Sequence, residues 1–251
     1  MPDTPPRILV IAGSDSSGGA GIQADIKTIT VLGGYAMTAI TALTAQNTLG
    51  VFAVEPVAPA MVAAQIDACI EDIGVDAVKI GMLGSPAVGE VVAQRLERLA
   101  VPVVFDPVMV ATSGAELADP ATVAGFERLM RLTTLTTPNV AELAALGGEA
   151  AMTARAIAWL AKGGDSDGDV VEDVLHVAGQ APRGFAAPRI ATRHTHGTGC
   201  TLASAVATFL GAGEPLGQAV DRARGFVRAA LAAAPGFGAG SGPLGHAQAR
   251  F

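Results

Sequence analysis

The sequence is poor in aromatic residues and cysteines and has no long hydrophobic run, and each shortage excludes a class of protein. Aromatic residues occupy 4% of its 251 positions, with one tryptophan and one tyrosine. The two cysteines, Cys69 and Cys200, lie far apart, without the paired spacing of a zinc site or of a secreted disulfide framework. The longest apolar runs stay well below the about 20 residues of a membrane-spanning helix. We therefore expect two reduced thiols and no membrane partner.

Positive charge is also scarce in this sequence. Sixteen lysines and arginines face 23 acidic residues, which gives a net charge of −7, and only three of the basic residues are lysines. Nucleic-acid binders usually carry a basic face, and no basic cluster is present, so we expect no nucleic-acid partner. A small anionic substrate remains compatible with a locally positive site. Residues 1–7 contain three prolines and an acid where a secretory signal needs a basic region. These features predict a cytoplasmic protein.

Half of the residues are hydrophobic, and they follow two alternating patterns. Short apolar runs rich in β-branched residues predict strands at 7–13, 35–44, 51–57, 76–80, 101–105, 133–137, 169–177 and 184–191. Apolar residues at spacings of three and four predict helices at 18–34, 60–73, 86–99, 119–132, 140–146, 153–161, 198–210 and 216–234. This alternation predicts an α/β fold of three layers, in which helices flank a mostly parallel central sheet. We expect one domain covering residues 1–251.

Polar residues follow several of the predicted strands, at the point where each strand ends. Residues 13–19 follow the first strand, Gln46 follows the second, and residues 81–84 follow a later one. Asp106 and Asn139 follow two further strands. Ligands of open α/β sheets bind at the carboxyl ends of strands, so the sequence predicts a site at this rim.

The segment His-Gly-Thr-Gly-Cys at residues 196–200 leads directly into an apolar helix and is the strongest candidate for chemistry. Gly197 and Gly199 let backbone N–H groups converge, and the helix start adds positive potential, so Gly197, Thr198, Gly199 and Cys200 predict an anion-binding nest. At the first helical turn the thiol pKa of Cys200 is expected to fall. The alternative is a glycine-capped turn with a small buried cysteine.

Four further polar positions have both a chemical and a purely structural interpretation. Asp25, which follows a glycine-rich stretch, is either a hydrogen-bond acceptor for a ligand or a solvated helix residue. Asp106 and Glu142 are two carboxylates suited to Mg²⁺ near phosphates, or they only end a strand and begin a helix. Lys162 contacts a nucleotide phosphate or caps a helix. The residues alone leave these alternatives open.

Taken together and in order, the motifs resemble those of a known family. They are the segments at 12–27 (AGSDSSGGAGIQADIK), 41–48 (TALTAQNT), 78–83 (VKIGML), 105–109 (FDPVM), 137–142 (TPNVAE), 162–164 (KGG) and 196–200 (HGTGC). The chain resembles the hydroxymethylpyrimidine/phosphomethylpyrimidine kinases of thiamine biosynthesis, within the ribokinase-like superfamily. The resemblance extends from about residue 7 to residue 245.

The resemblance implies a kinase with two successive reactions. MgATP would phosphorylate 4-amino-5-hydroxymethyl-2-methylpyrimidine, and a second transfer would convert the monophosphate into the diphosphate. The expected partners are therefore this aminopyrimidine alcohol and its phosphate, with ATP as donor, Mg²⁺ as the metal and a second copy of the chain in a homodimer. Substrate binding is implied for Gly13, Asp25, Gln46, Met82 and Val108.

The same resemblance assigns the nucleotide end of the site. Lys162, Asp106, Asn139 and Glu142 are implied to bind the nucleotide, and Asp106 and Glu142 are also implied to lie near Mg²⁺. The segment 197–200 corresponds to the anion hole, in which Cys200 stands where the sugar kinases of the superfamily carry an aspartate base.

Two departures and two alternative functions accompany this resemblance. Thr112 stands where many relatives have lysine, and Asp165 stands where they often have histidine. Pyridoxal or pyridoxine kinases share the glycine-rich segments and are the alternative enzyme. A non-catalytic pyrimidine- or nucleotide-binding module is the alternative of another class, and a Rossmann dehydrogenase is excluded because its glycine fingerprint is absent.

Overall fold

The computed structural model describes residues 4–110, 114 and 117–251. Within these residues nine strands form one sheet, in the order β3-β2-β1-β4-β5-β6-β7-β8-β9. In chain order the strands are β1 (Arg7–Asp15), β2 (Tyr35–Asn47), β3 (Gly50–Pro56), β4 (Ala77–Ile80), β5 (Val103–Phe105), β6 (Leu135–Thr136), β7 (Trp159–Ala161), β8 (Val170–His176) and β9 (Arg183–Pro188). Strand pairing is parallel from β2 through β7, whereas β3, β8 and β9 each run antiparallel to a neighbour. The predicted mostly parallel sheet is confirmed.

Helices cover both faces of this sheet. They are α1 (Gly21–Val31), α2 (Pro59–Ala68), α3 (Pro86–Leu96), α4 (Pro120–Met130), α5 (Val140–Ala145), α6 (Gly148–Ala154), α7 (Thr198–Gly211) and α8 (Leu216–Ala232). A π-helical turn, Cys69–Ile73, continues α2, and a short 3-10 helix, His246–Gln248, lies near the end of the chain. No helix in the described residues combines the length and hydropathy that a bilayer span requires.

Strand β1 explains why the middle of the sheet is hydrophobic on both sides. Successive side chains of a strand point to opposite faces. Ile8 and Val10 pack into the core beneath α1, α7 and α8, whereas Leu9 and Ile11 pack into the core beneath α2, α3 and α4. All four side chains are at most 1% exposed. A continuous apolar run is the expected sequence of a parallel strand that is buried on both faces.

The predicted helix at 153–161 is wrong. Helix α6 ends at Ala154, Ala156 adopts a positive φ of 55°, and Trp159–Ala161 is the parallel strand β7 beside β6. The alanine-rich segment has helical propensity, but burying Trp159 and Leu160 in the two cores outweighs it. A strand of three residues is too short to show a period of its own.

The end of β2 also differs from the prediction, because the strand continues to Asn47 instead of ending at residue 44. Gln46 therefore lies within a strand, paired with Val51 of β3, and a bulge separates it from Ala45. The neighbouring Ser16 hydroxyl donates to the Gln46 carbonyl and accepts from the Gln46 N–H, both at 2.8 Å. These contacts fasten the end of β2 to the loop after β1.

Candidate active site

A cavity of about 660 Å³ opens at the carboxyl ends of the parallel strands. The chain adds β2 on one side of β1 and β4 on the other, so the direction of strand addition reverses between β1 and β4, which is where open α/β sheets bind ligands. Most of the residues implied by the resemblance line this cavity: Gly13, Gln46, Met82, Asp106, Val108, Asn139, Glu142, Lys162, Gly197, Thr198, Gly199 and Cys200. The structure therefore brings together side chains from six strand ends and one helix start.

The two glycine-rich segments touch each other at one wall of the cavity. Gly197 precedes α7 with a φ of 85°, and a Cβ added there would overlap the Gly19 carbonyl oxygen. A Cβ added at Gly19 would in turn overlap the His196 ring. Only glycine permits this approach, and it lets the start of α7 line the cavity directly beside the loop after β1.

Asp15 organises the loop that follows β1. Its Oδ1 accepts the N–H and hydroxyl of Ser17, and its Oδ2 accepts the N–H groups of Gly19 and Ala20, all between 2.8 and 3.0 Å. His196 Nε2 lies 2.8 Å from the same Oδ2. Burial opposes ionisation of Asp15, but these hydrogen bonds, with that of His196 the strongest, lower its pKa to about 2. Asp15 is therefore a carboxylate that ties both glycine-rich segments together.

Cys200 lies in the first turn of α7, as the sequence predicts, but its pKa does not fall. Burial of the thiol raises the pKa of Cys200 to about 11, and the carboxylates of Asp25 and Asp106 add to this rise. The Lys79 ammonium and the Gly21 N–H oppose it. The loss of hydration outweighs the helix start, so the expectation of a lowered thiol pKa is wrong for this structure.

Asp25 occupies a position that its sequence did not predict. Its carboxylate is wholly buried and lies behind the cavity lining, 2.9 Å from Lys79 Nζ and 2.7 Å from the Ser204 hydroxyl. Lys79, also wholly buried, lines the cavity in its place. Because Cys200 and Ser204 are one turn apart on α7, this buried ion pair lies directly below Cys200. Asp25 thus faces Lys79 rather than the space that a substrate would fill.

Asp106, Glu142 and Lys162 form a charged cluster at the other side of Cys200. Lys162 Nζ lies 2.7 Å from Asp106 Oδ1 and 3.6 Å from Glu142 Oε2. Burial alone would lower the pKa of Lys162, but the two carboxylates raise it above its ordinary value. A Cβ added at Gly199 would stand 3.2 Å from Lys162 Nζ and 3.3 Å from Asp106 Oδ2. The cluster and the start of α7 therefore face the same space.

Local structure explains how Glu142 is aimed. Asn139 caps α5: its Oδ1 accepts the Glu142 N–H at 2.8 Å, and its own N–H donates to Glu142 Oε2 at 2.7 Å. Burial raises the pKa of Glu142, and Lys162 opposes the rise. The resemblance implies a nucleotide contact for Asn139, and in the structure Asn139 both lines the cavity and orients the neighbouring carboxylate.

The donor set of this cluster fits a magnesium ion. Asp106 and Glu142 supply hard carboxylate oxygens, and a cationic group, the Lys162 ammonium, already lies between them. In the described residues no group of three or more His, Cys, Asp or Glu side chains is arranged to hold a metal. Mg²⁺ commonly takes one or two carboxylates and completes its shell with water and substrate phosphates, so two carboxylates at a phosphate site suffice.

Sequence reasoning missed the opposite end of the cavity. Apolar side chains line this end together with arginines, and they come from segments far apart in the chain: Val171, Ile190, Leu202, Val227, Leu231, Arg189, Arg224 and Arg228. Helical or strand periodicity predicts only that such apolar residues are buried in the core, and it does not predict that they line a cavity. Their position at the rim follows from the packing of α8 beside the β8–β9 hairpin and has no local signal.

Asp173 fixes the segment that carries Lys162. Its Oδ1 accepts the Gly163 N–H at 2.8 Å, and its Oδ2 accepts from Arg224 Nε at 2.6 Å. A Cβ added at Gly163 would overlap the carbonyl of Glu172, so glycine is needed there. Of the two departures from the family pattern, Asp165 lines the cavity and Thr112 lies outside the described residues.

A mostly parallel sheet flanked by helices, with a glycine-rich helix start facing a lysine and two carboxylates, is an arrangement typical of small-molecule kinases. The family model described as phosphomethylpyrimidine kinase matches residues 15–245. The chain belongs to this family, and it is a kinase. The resemblance found in the sequence is confirmed.

Individual relatives agree with this assignment. The hydroxymethylpyrimidine/phosphomethylpyrimidine kinase of Rhizobium meliloti is 46% identical, over 95% of this chain and 96% of the relative. The thiamine biosynthesis bifunctional protein ThiED of Geobacter sulfurreducens is 47% identical over 95% of this chain, which spans about half (52%) of that longer protein. Among solved structures, the ADP complex of Bacillus subtilis pyridoxal kinase is 32% identical with a TM-score of 0.88, covering 98% of both chains. The ribokinase-like fold is thereby confirmed.

Proposed function

We propose that this chain transfers a phosphoryl group from ATP to 4-amino-5-hydroxymethyl-2-methylpyrimidine, and then transfers a second one to the monophosphate. The observation that most supports this proposal is that the start of α7, with Cys200 in its first turn, shares one cavity with the Lys162–Asp106–Glu142 cluster. Phosphoryl transfer needs positioned positive charge and an anion-binding surface more than covalent chemistry. Relatives named as kinases of both pyrimidines support the choice of substrate.

The nucleotide is proposed to enter from the apolar end of the cavity. Ile190, Val227 and Leu231 offer an apolar surface for a base, and the phosphates would then extend toward Lys162 and the start of α7. The N–H groups of Gly199 and Cys200 suit the oxygens of the transferred group. ADP bound to the similar Bacillus subtilis kinase supports a nucleotide in this fold.

Asp106 and Glu142 are proposed to hold Mg²⁺ through its water shell. The ion would neutralise charge on the donor phosphates. The chain's own contribution is the capping box that orients Glu142 and the hydrogen bond from the Thr137 hydroxyl, which lies 3.0 Å from Asp106 Oδ1. Lys162, which lies beside both carboxylates, would then donate to a phosphate oxygen. Removing Mg²⁺ with a chelator is expected to abolish turnover.

Cys200 is proposed as the base of the first transfer. The hydroxymethyl oxygen forms a bond to the γ-phosphorus, the bond between that phosphorus and the bridging oxygen breaks, and ADP leaves with the electron pair. The hydroxyl proton passes to Sγ of Cys200 in its thiolate form. In the second transfer the acceptor is a phosphate oxygen that is already anionic, so this base is not required.

The substrate end of the cavity is proposed to consist of Gly13, Gln46, Met82 and Val108. The absence of a side chain at Gly13 makes room for Met82, since a Cβ there would overlap the Met82 methyl group. The Gln46 amide has one donor and one acceptor group, which matches the edge of an aminopyrimidine. Asp25, which lies behind the lining, is proposed to act on this end only through Lys79.

The chain is proposed to work as one kinase domain, in the cytoplasm, where ATP is available and its two free cysteines stay reduced. A homodimer is proposed through the β2–β3 hairpin. Four large apolar side chains of this hairpin segment are exposed: Leu43, Leu49, Phe52 and Val54. An edge strand with such a surface is usually covered by a partner.

The test is ADP release by the purified protein with MgATP and, separately, hydroxymethylpyrimidine, its monophosphate, pyridoxal and pyridoxine. We expect turnover of both pyrimidines with much weaker activity on the two vitamin B6 compounds. A preference for pyridoxal would instead support the alternative function, a pyridoxal kinase, which the similarity to the Bacillus subtilis pyridoxal kinase favours. Activity on none of the four would contradict both substrate assignments.

A further inference from the structure

A chain of contacts runs from Asp15 through His196 to Gln46, and the function proposed above gives a role to Gln46 alone. All three residues line the cavity, and the two outer ones meet at one ring nitrogen of His196. We propose that Asp15 and His196 are positioning residues that hold the Gln46 amide in one orientation, with Oε1 toward His196 and the NH₂ group toward the bound ring. This inference rests on the proposed function, since it needs a pyrimidine in the cavity.

His196 Nε2 and Asp15 Oδ2 share one hydrogen, which only one of the two atoms carries. Asp15 is 3% exposed and accepts four hydrogen bonds from Ser17, Gly19 and Ala20, so it is an ionised acceptor with no proton to give. His196 Nε2 lies 2.8 Å from Asp15 Oδ2, and two bare lone pairs at that distance would repel. His196 Nε2 therefore carries the hydrogen and donates it to Asp15.

The imidazole ring of His196 is held in place by its neighbours. The His196 ring packs against Gly19 so closely that a Cβ there would overlap it, and the His196 N–H donates to the Gly242 carbonyl at 3.1 Å. Gln46 is held equally well at its backbone, by two hydrogen bonds with Ser16. The packing therefore restrains the His196 ring, and the backbone of Gln46 is anchored beside it.

The hydrogen on His196 Nε2 determines the orientation of the Gln46 side-chain amide. The structure places the Gln46 amide nitrogen, Nε2, 2.9 Å from His196 Nε2. An amide nitrogen at that point would set two donors against each other, because His196 Nε2 is already a donor. A half-turn of the amide, which occupies the same space, puts Oε1 there as an acceptor that shares the Nε2–H with Asp15. The NH₂ group then faces the cavity.

This orientation has a consequence for specificity. A 4-aminopyrimidine offers a ring nitrogen acceptor beside an amino donor, so the Gln46 NH₂ can donate to the ring while Oε1 accepts from the amino group. The corresponding 4-oxo ring has the reversed pattern, a ring N–H beside a carbonyl oxygen. An amide that cannot turn rejects the reversed pattern, because buried polar groups are left unpaired.

The experiment compares kcat/KM for hydroxymethylpyrimidine with kcat/KM for its 4-oxo analogue in wild type, His196→Phe and His196→Gln. Wild type is expected to prefer the amino compound by about 100-fold or more. His196→Phe frees the amide to turn, so the preference falls about tenfold or more. His196→Gln restores a donor near the Nε2 position and recovers most of the preference. A merely structural role would reduce both rates in parallel and leave the ratio unchanged, which would overturn the proposal.

A measurement on the wild-type protein keeps the proposal testable if His196→Phe does not fold. Nitrogen-15 NMR of the histidine rings, with His196 assigned by its missing signal in His196→Gln, is expected to show a hydrogen on Nε2. A ring protonated only at Nδ1 would overturn the proposal. Failure of the proposed function is a separate outcome, namely no turnover of the amino compound by wild type, and the NMR result decides the inference in that case too.

Discussion

At the scale of single residues, the start of α7 and the burial of the side chain have opposite effects on the pKa of Cys200. The start of α7 favours a thiolate, but burial among carboxylates raises the pKa of the thiol to about 11. In its free form the protein therefore keeps Cys200 protonated near neutral pH. Only the small thiolate fraction can therefore accept the hydroxyl proton of the substrate, which leaves late in a loose transition state.

Replacing Cys200 by alanine is expected to separate the two reactions. Cys200→Ala removes the base, so kcat for phosphorylation of hydroxymethylpyrimidine should fall about 100-fold or more, while kcat for the monophosphate falls less than about tenfold. The measurement is steady-state kinetics on each substrate alone. Cys69→Ala, which changes the other partly buried thiol, is the matched control and should leave both rates unchanged. Equal losses in both reactions would contradict the role of Cys200.

The same residue predicts a pH dependence with a definite sign. Because the reactive form is the thiolate and its pKa is raised to about 11, the reactive fraction grows as pH rises. The kcat/KM of the first transfer should therefore increase about tenfold per pH unit between pH 7 and pH 10. The second transfer should show no such slope, and Cys200→Ala should remove it from the first. A first-transfer profile that is flat or falls with pH would refute the assignment.

At the scale of elements, the Lys79–Asp25 ion pair joins β4 to α1, and Ser204 adds α7 to the same cluster. Both charges are wholly buried, so each depends on the other for compensation. Burial raises the pKa of Asp25 and Lys79 opposes the rise. The pair thus fixes the floor of the cavity below Cys200.

Removing one partner of this pair is expected to cost far more than removing both. Asp25→Leu should lower the free energy of unfolding by about 3–5 kcal/mol, because it leaves the Lys79 ammonium buried and unpaired. The double variant Lys79→Met/Asp25→Leu should recover most of that loss in urea denaturation. Asp67→Ala breaks the more exposed pair with Arg95 and should cost below about 1 kcal/mol. Equal destabilisation by the single and double variants would show that the charges are not coupled.

The elements also show how far a sequence can be interpreted. Strands such as β1 were predictable because a short apolar run that ends at a glycine is typical of a buried strand. The polar residues that follow these strands correctly marked the rim. The three-residue strand β7 was not predictable, since alanine-rich sequence around Trp159 has helical propensity and only burial decides otherwise. The seclusion of Asp25 behind Lys79 depends on three elements packing together, and no local pattern records it.

The site shows the same division between local and non-local signals. The His-Gly-Thr-Gly-Cys segment predicted an anion-binding helix start because its glycines and the following helix are adjacent in the chain. The pKa of the Cys200 thiol is raised rather than lowered, because its burial and the nearby carboxylates come from segments distant in the chain. The apolar end of the cavity, with Ile190 and Val227, escaped prediction for the same reason.

At the scale of the whole molecule, the exposed hairpin predicts an interface between two copies of the chain. Phe52 is 68% exposed on edge strand β3. Phe52→Lys should therefore shift the protein from dimer to monomer in sedimentation velocity at micromolar concentration. Val170→Lys, at an exposed valine of β8 far along the sheet, is the matched control and should not change the sedimentation coefficient. A wild-type monomer would contradict the proposed dimer.

The most direct test of the central proposal is a phosphorus-31 NMR time course of wild-type protein with excess MgATP and hydroxymethylpyrimidine. One cavity that performs both transfers predicts that the monophosphate appears first, that the diphosphate replaces it, and that two ADP form per pyrimidine. Accumulation of the monophosphate alone, with one ADP per pyrimidine, would contradict the second transfer. The absence of any phosphorylated pyrimidine would contradict the proposed substrate altogether.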